Sequence, residues 1–326
     1  MIVIQSLPLR AHQSYTARTN AEGENRVVMP CSIRMLFPVV PLRRLLPTFL
    51  PCLWLAAVSS AWAKPHADRI DPYPTAAVAY AAVVDGELLW GRNMDVRRAP
   101  ASLTKLLTAL VLLDSDWRPD AELEVSHVAA HITHPRVGLH TGDTVTAGDA
   151  LTAMLMHSAN DACMVLVEHA APSPEIFARR MNARAEQLGM HDSHFVHPCG
   201  FDAEDQYSTV SDLLRLARAA HADPRIAQIV QQQQASIATG RGRVLSFKNT
   251  NMLLGRVDGV LGLKTGYTAQ AGRCVIVLAE QSGHRVWLVL LNSQQRWRSA
   301  HRIITDAFAA AEHGTHTRLA GATASL

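Results

Sequence analysis

One short motif carries two side chains suited to serine-based acyl transfer. Ser102-Leu103-Thr104-Lys105 has the pattern S-x-x-K, and at the start of a helix this spacing places serine and lysine one turn apart on the same face. A serine hydroxyl is a weak nucleophile until a base removes its proton, and a lysine amine can do so when burial or nearby charge holds it neutral. Ser102 is therefore expected to be a nucleophile, Lys105 its base, and the helix N-terminus a source of N–H groups for an oxyanion. Taken alone, the same spacing also fits a capping serine followed by a solvated lysine.

A second motif, Ser158-Ala159-Asn160, supplies partners for that pair. The Ser158 hydroxyl can relay protons, and the Asn160 amide can bind a substrate carbonyl or orient Lys105. Both lie in the middle of an apolar helical pattern, where the polar residues are expected to break the helix locally. The motif therefore predicts a second group of catalytic side chains in a helical region.

A third motif, Lys264-Thr265-Gly266, lies in an apolar, β-branched stretch typical of a strand. Lys264 and Thr265 offer a charge and a hydroxyl to a substrate carboxylate, and Gly266 would let a substrate backbone come close. A phosphate-binding loop is excluded because Leu263 stands where that motif requires glycine, and a strand rather than a helix follows.

Lysine is scarce in this chain: of 31 basic residues, only four are lysines. Arginine cannot lose its proton at ordinary pH. In a chain that uses arginine for most of its cations, a lysine can therefore mark a position where an amine must lose its proton. Two of the four belong to the motifs above, and the complete set is Lys64, Lys105, Lys248 and Lys264.

Composition and charge narrow the function classes. The 326 residues are 48% hydrophobic and 18% charged, with a formal net charge of +3, which is typical of a soluble globular chain. No basic face, zinc finger or aromatic-basic stretch stands out, so nucleic-acid binding is not expected.

The first 63 residues predict export. Residues 1–34 have no apolar period and are interpreted as an unstructured leader or a mis-assigned start, and residues 35–63 resemble a signal peptide that is cleaved before Lys64. Its apolar stretch is interrupted by Pro47 and Pro51 and is shorter than the ~20 residues of a membrane span. We therefore expect a periplasmic protein without a stable membrane anchor, consisting of a catalytic domain over 64–312 and a polar tail over 313–326.

Three cysteines remain in the exported chain, namely Cys163, Cys199 and Cys274. Their odd number and wide spacing do not make a disulfide framework, and no C-x-x-C exists for zinc or redox chemistry. Buried free thiols are the default expectation.

Periodicity predicts strands at both ends of this domain and helices between them. This pattern indicates an α+β fold: an antiparallel sheet formed by both chain ends, flanked by helices, with an inserted helical lobe. Gln231–Gln234 is interpreted as helix surface. Strands are expected at 76–84, 88–90, 261–267, 274–280 and 286–292, and helices from Pro100 onward and at 147–169, 174–188, 209–221 and 296–311.

The order S-x-x-K, S-x-N, K-T-G resembles the penicillin-recognising serine enzymes. Within them, the surroundings resemble the low-molecular-mass D-alanyl-D-alanine peptidases, the family of serine DD-carboxypeptidases and DD-endopeptidases. Matching stretches, spread over about 76–312, include residues 100–109, 156–163, 181–200, 207–213, 249–251 and 262–272.

The resemblance implies a role for each motif residue. Ser102 would be the acylated nucleophile and Lys105 its base, Ser158 and Asn160 would relay protons and position substrate, and Lys264 and Thr265 would hold the terminal carboxylate. The oxyanion hole would be formed by the backbone N–H groups of Ser102 and Tyr267. Ala159 stands where the family usually has glycine, a small change that leaves its neighbours in place.

The resemblance also implies substrates and partners. The chain ends soon after the last predicted helix, like the shorter DD-endopeptidase branch, which cleaves cross-links between peptide stems. Peptidoglycan peptides are the expected substrates and β-lactams the expected covalent inhibitors, with no cofactor and no metal.

Three alternatives remain open. A class A β-lactamase needs an additional glutamate and asparagine between the second and third motifs; Glu175 and Asn182 lie there, yet both fall in a helical pattern that matches the peptidases. A metal site could use His191, His194 and His197, which repeat every three residues, although Pro198 and the nearby glycine favour an exposed loop. A non-catalytic cell-wall binding protein would be expected to lose Ser102 or Lys105, and both are present.

Overall fold

The computed structural model describes residues 71–323, so the predicted leader and signal peptide lie outside the described residues. The strands are β1 (Ala79–Val84), β2 (Glu87–Arg92), β3 (Glu122–Glu124), β4 (Thr144–Thr146), β5 (Gln234–Ala238), β6 (Val244–Lys248), β7 (Val260–Thr268), β8 (Gly272–Gln281) and β9 (His284–Leu291). The helices are α1 (Lys105–Leu113), α2 (His127–His131), α3 (Ala147–Met156), α4 (Asn160–Ala170), α5 (Pro174–Gln187), α6 (Val210–Ala222), α7 (Pro224–Val230) and α8 (Arg296–Thr323).

The main sheet joins the two ends of the described chain. Its strand order is β2-β1-β9-β8-β7, and every neighbouring pair is antiparallel. Strand β1 pairs with β9 over its whole length, from Ala79 opposite Leu291 to Val84 opposite Val286. The structure thus confirms the predicted α+β fold, with a sheet formed by both ends and helices inserted between them.

Successive residues of a strand point to opposite faces of the sheet, so the side chains of the central strands pack alternately into two separate cores, one on each face. On one face Tyr80 and Leu288 pack with residues of α8 such as Ile304. On the other face Ala81 and Val289 join the larger core, which contains the helical lobe. Strand β7 is left at the edge of the sheet, beside the Ala101–Thr104 segment.

The polar residues 157–159 interrupt the long helical pattern as expected, separating α3 from α4. At Pro100 the chain first forms a 3₁₀ turn, Ala101–Thr104, before α1 begins. The final helix extends beyond the predicted residue 311 to Thr323. No helix within residues 71–323 is long and apolar enough to cross a membrane.

The interpretation of Gln231–Gln234 as helix surface is wrong. Helix α7 ends at Val230, and Gln234 begins β5, which pairs with β6 in a two-stranded hairpin. The hairpin buries only one side chain on each strand, Ile237 and Phe247. So little apolar alternation gave no strand signal strong enough to outweigh the preceding helical pattern.

The expectation of three free thiols is also wrong. Cys163 and Cys199 form a disulfide with a Cα–Cα distance of 6.1 Å, and Cys274 remains a free, buried thiol. The two bonded residues are 36 positions apart, and only the tertiary fold brings them together. Spacing in the sequence could not reveal the pair.

Candidate active site

The Ser102 segment is held between two glycines of other elements. A Cβ atom on Gly266 of β7 would lie 3.2 Å from Ser102 N and 3.0 Å from Ala101 Cβ, and one on Gly200 would lie 2.1 Å from Ala101 O. Ala101 itself adopts a left-handed backbone conformation with φ +50°, which is uncommon for a residue with a side chain. The close approach at Gly266 is therefore made by the protein's own backbone around Ser102.

Lys105 lies under Ser102 and is fully buried. Its Nζ is 3.0 Å from Ser102 Oγ, 2.8 Å from Asn160 Oδ1 and 2.7 Å from the carbonyl oxygen of Cys199. The structure thus brings together three of the predicted site residues, and the Cys199 carbonyl joins them. No side-chain motif marks a backbone carbonyl, so sequence reasoning missed it.

The environment of Lys105 favours the neutral amine. Burial, followed by the charge of Lys264, lowers the pKa of Lys105 well below its ordinary value, while Asp161 opposes the shift. A neutral amine has two N–H donors and one lone pair. Because the oxygens of Asn160 and Cys199 can only accept, they take the two N–H groups, and the lone pair faces Ser102 Oγ. This is the arrangement that a general base for Ser102 requires.

Asn160 is fixed in the orientation that this arrangement needs. Its Nδ2 donates to Thr133 O and its backbone N–H donates to Pro135 O, so Oδ1 faces Lys105. The adjoining loop is held by the buried carboxylate of Asp161, which accepts backbone N–H bonds from Val137, Gly138, Leu139 and its neighbour Ala162.

Ser158 occupies the turn between α3 and α4. It is buried and has a left-handed backbone conformation with φ +61°. Within the described chain its hydroxyl forms no hydrogen bond to Ser102, Lys105 or any other group, whereas Asn160 bonds Lys105 directly. The structure therefore places Ser158 next to the site in the chain but does not connect it by hydrogen bonds to the serine and lysine.

Lys264 and Thr265 are buried on β7. Lys264 Nζ donates to Thr265 O at 3.0 Å, and burial, followed by the charge of Arg296, lowers the pKa of Lys264 to about 7. Tyr267, two residues after Thr265, is 65% exposed. Since β7 is an edge strand of the sheet, it offers backbone N–H and C=O groups that no strand of the described chain pairs.

Arg296, at the start of α8, is a second cation beside β7 that sequence reasoning missed. Its Nη1 donates to Gly266 O at 2.8 Å and to Cys274 O at 3.0 Å. Its Nε is buried and has no hydrogen-bond partner among residues 71–323. Among 27 arginines nothing in the sequence distinguishes this one, because only the packing of α8 against the sheet brings it to β7.

Thr250 is a further residue of the site that the three motifs did not reveal, although it lies in the stretch 249–251 that resembles the family. Its Oγ1 lies 2.6 Å from Thr265 Oγ1 and 3.2 Å from Met156 O, while its backbone N–H also donates to Met156 O. Thr250 therefore joins the end of α3 to the hydroxyl of the third motif. The hydrogen bond to Thr250 therefore determines whether the Thr265 hydroxyl has its donor or its acceptor side free for a ligand.

Replacing Thr250 with valine, which keeps the shape but removes the hydroxyl, is expected to weaken binding of a carboxylate-bearing substrate. One neutral hydrogen bond contributes about 0.5–1.5 kcal/mol, so KM should rise by roughly 2- to 12-fold with little change in kcat. Steady-state kinetics on peptides with a free C-terminal carboxylate would measure this effect. The separate variant Thr250→Ser, which keeps the hydroxyl, should have the wild-type KM. An unchanged KM in Thr250→Val would show that Thr250 does not influence Thr265.

The three spaced histidines do not converge on one point. His191 Nδ1 lies 3.1 Å from Glu186, His194 Nδ1 lies 2.8 Å from Asp205 O, and His197 Nδ1 accepts from the N–H of Cys199. Within residues 71–323, no group of three or more His, Cys, Asp or Glu side chains is arranged to hold a metal ion. Burial, followed by the charge of Lys105, lowers the pKa of His197 to about 4.

The two residues of the β-lactamase alternative also lie elsewhere. Glu175 is in the first turn of α5. Asn182, further along that helix, forms a reciprocal pair of hydrogen bonds with the backbone of Phe195. Asn182 thus holds the segment after α5, which is a structural role.

Comparison with known proteins places these features in a family context. Residues 71–295 match the family described as D-alanyl-D-alanine carboxypeptidase. The D-alanyl-D-alanine endopeptidase of Pseudomonas aeruginosa is 33% identical, covering 64% of this chain and 68% of that protein. The corresponding Escherichia coli endopeptidase is 31% identical over 72% of this chain and 77% of that protein.

Relatives with other names are similarly close. A D-alanyl-D-alanine carboxypeptidase of Bacillus subtilis is 28% identical over 84% of this chain and 73% of that protein. Among solved structures, a Streptomyces DD-transpeptidase superposes with a TM-score of 0.68 at 28% identity, covering 74% of this chain and all of that one.

Proposed function

The chain belongs to the D-alanyl-D-alanine carboxypeptidase family, and from this membership we propose that it is a serine peptidase that cleaves D-alanyl-D-alanine bonds of peptidoglycan stems through an acyl-enzyme on Ser102. The observation that carries the proposal is the buried Lys105, whose two acceptor oxygens, on Asn160 and Cys199, leave its lone pair facing the Ser102 hydroxyl. A solvated lysine beside a capping serine, the simpler explanation of the first motif, does not fit a fully buried amine.

Acylation begins with transfer of the Ser102 proton to Lys105 Nζ as Oγ attacks the carbonyl of the penultimate D-Ala. The carbonyl oxygen becomes an oxyanion, which the backbone N–H groups of Ser102 and Tyr267 stabilise. Gly266 packs against Ser102 N and precedes Tyr267 on the edge strand, which supports this assignment. Collapse of the intermediate breaks the amide bond, and the departing amine takes up the proton.

Hydrolysis of the acyl-enzyme repeats these steps with water as the nucleophile. Lys105 can accept the proton of the attacking water and return it to Ser102 Oγ. In the preceding acylation step, the Ser158 hydroxyl, which forms no hydrogen bond within residues 71–323, is free to carry the proton from Lys105 to the departing amine. Asn160 meanwhile keeps Lys105 oriented in both half-reactions.

The carboxylate of the substrate is assigned to the β7 side of the site. Lys264, Thr265 and Arg296 offer two cations and a hydroxyl beside the edge strand. An anionic group bound there would direct the scissile amide toward Ser102, because Gly266 of the same strand contacts the Ser102 segment. Recognition of a D-amino-acid carboxylate next to the scissile bond follows from this arrangement.

The disulfide supports action outside the cytoplasm, because such bonds form and persist in oxidising compartments. It is consistent with the signal peptide expected over residues 35–63 and with a periplasmic enzyme acting on cell-wall peptides. β-Lactams, which carry a reactive amide and a carboxylate, would acylate the same serine.

Cleavage of cross-links and release of terminal D-Ala are distinguished by their products. The purified protein would be incubated with a pentapeptide stem and, separately, with a cross-linked dimer, and the products identified by chromatography and mass spectrometry. Cleavage of the dimer supports the endopeptidase preference, to which the Pseudomonas and Escherichia relatives point. Release of D-Ala alone supports the carboxypeptidase, and inertness toward both substrates contradicts the proposal.

The low pKa of Lys264 predicts a pH-dependent KM. Lys264 is charged below its pKa of about 7 and loses its charge above it, so carboxylate binding weakens as the pH rises through neutrality. KM for a carboxylate-bearing peptide should increase by up to about tenfold per pH unit above that pKa, the limit for one required proton. KM would be measured between pH 6 and pH 9 for this peptide and for one with an amidated C-terminus. The KM of the amidated peptide should show no such rise, and a KM that is independent of pH for both peptides would reject the role of Lys264.

A further inference from the structure

The Cys163–Cys199 disulfide lies next to the proposed base. We propose that this disulfide is a positioning bond of the active site, which holds the two oxygen acceptors of Lys105 at a fixed separation so that the amine keeps its lone pair on Ser102. The inference rests on the proposed function, because it assigns the disulfide a part in the acylation of Ser102.

The two acceptors of Lys105 come from different parts of the chain. Asn160 is the first residue of α4, whereas Cys199 belongs to the segment that follows α5, here called the Cys199 loop (residues 197–201). Cys163 follows Asn160 by three positions, so the two side chains lie one helical turn apart on the same face of α4. Cys199 is itself the residue whose carbonyl accepts from Lys105. The disulfide therefore joins the two acceptor segments at the acceptors.

No other polar contact makes this connection. Among the hydrogen bonds and ion pairs of residues 71–323, none joins the Cys199 loop to α4. The loop is tied instead to α1, where Thr108 Oγ1 donates to Pro198 O at 2.6 Å. It is also tied to Gln206, whose side chain accepts from His197 N and donates to His197 O. Within residues 71–323, Lys105 is thus the one polar link between its own two acceptors apart from the disulfide.

Lys105 is poorly suited to hold the segments together by itself. A neutral lysine that donates to both oxygens and accepts from Ser102 uses every hydrogen-bonding direction it has. If the Cys199 loop moves away from α4, the amine must follow one acceptor and lose the other, and its lone pair turns from Ser102 Oγ. A displacement on the order of 1 Å in a catalytic group can cost about 100-fold in rate.

The burial of the disulfide indicates a permanent bond rather than a switch. Cys163 and Cys199 are both completely buried, so an external thiol cannot reach either sulfur without opening the fold. Cys274, the remaining thiol in the described chain, is buried on β8 and its Sγ contacts the carbonyls of Ala271 and Gly272. It provides a matched control for loss of a buried cysteine.

The test compares the double variant Cys163→Ala/Cys199→Ala with the Cys274→Ala control. The rate of acylation by a fluorescent penicillin would be measured per folded molecule, across pH, together with Tm. We expect the double variant to be acylated at least about tenfold more slowly. Each single variant should be affected as much as the double variant, since any of them removes the same bond.

The pH profile separates positioning from stability. Acylation requires neutral Lys105. The titratable groups that face Lys105 are Lys264 on β7, Asp161 on α4 and His197 in the Cys199 loop. Without the bond, water reaches Lys105 and favours its charged form, so the acidic limb of the profile should move to higher pH. A lower Tm with an unchanged rate and an unchanged acidic limb would overturn the proposal and leave a stabilising bond only.

A measurement on the wild-type chain keeps the test decisive if the variants fold poorly. Protein with both thiols reduced would be refolded from denaturant with and without glutathione disulfide, since the sulfurs are accessible only while the fold is open. With the oxidant, the two protein thiols give up two electrons and two protons, one S–S bond forms, and two molecules of glutathione are released. The acylation rate should rise at least about tenfold on oxidation, and an equal rate before and after would contradict the positioning role. Oxidised wild type that penicillin does not label at all would instead contradict the proposed function.

Discussion

Replacing Ser102 with alanine is expected to abolish covalent labelling by a fluorescent penicillin and to reduce peptide hydrolysis by about 10⁶-fold, the loss seen when a serine-hydrolase nucleophile is removed. The reason is that Ser102 Oγ is the hydroxyl that faces Lys105 Nζ, at 3.0 Å. Removing one oxygen from this small side chain leaves the contacts of Ala101, Gly200 and Gly266 in place, so the fold should survive.

Mass spectrometry of the labelled wild-type protein would locate the adduct. Tryptic cleavage at Arg and Lys places Ser102 in residues 99–105 and Ser158 in residues 137–179, so the two hydroxyls are separated into different peptides. The adduct should lie on residues 99–105. Labelling that persists in Ser102→Ala, or an adduct on residues 137–179, would show that another residue is the nucleophile.

Replacing Lys105 with arginine is expected to slow acylation by about 10²–10⁴-fold, the contribution of a positioned general base. The substitution keeps a long side chain with nitrogen donors, but the guanidinium holds its proton across the accessible pH range, whereas Lys105 is neutral. Ser102 would then face a cation without a lone pair. Raising the pH should therefore not restore the rate in Lys105→Arg, whereas the wild-type rate should follow the loss of a proton from Lys105.

Lys248→Arg provides the matched control. Lys248 is an exposed residue at the end of β6, and the same substitution there should leave the acylation rate unchanged. Stopped-flow or time-resolved labelling with penicillin would compare the three proteins. Near-wild-type acylation in Lys105→Arg would reject Lys105 as the base, since arginine cannot replace a neutral amine.

Local patterns predicted the parts of this protein that depend on local chemistry. Strands β1, β8 and β9 of the main sheet could be placed because their buried residues are almost continuously apolar. The break between α3 and α4 was expected because polar residues interrupt an apolar helix there. Ser102 and Lys105 could be paired because one helical turn separates them and because the second and third motifs accompany them, which favoured a catalytic pair over a capping serine with a solvated lysine.

What the sequence did not predict depends on contacts between distant segments. The Cys199 carbonyl, Thr250 and Arg296 reach the site through the packing of a loop, the end of α3 and the start of α8. The residue type does not show which backbone oxygen accepts a hydrogen bond in the site. The sequence contains many threonines and arginines, and nothing in their types distinguishes Thr250 or Arg296 from the others. The Cys163–Cys199 pair belongs to the same class, because disulfide connectivity is set by the tertiary fold.

The pairing of β1 with β9 affects the order in which the parts of the protein can fold. The central strands of the sheet come from the first and last parts of the described chain, with the helical lobe between them. Contacts of such long sequence separation form slowly, because most of the chain must be ordered before they are made. A chain that emerges from a ribosome or a translocation channel N-terminal end first therefore has every residue of its three motifs available before the sheet that supports them can close.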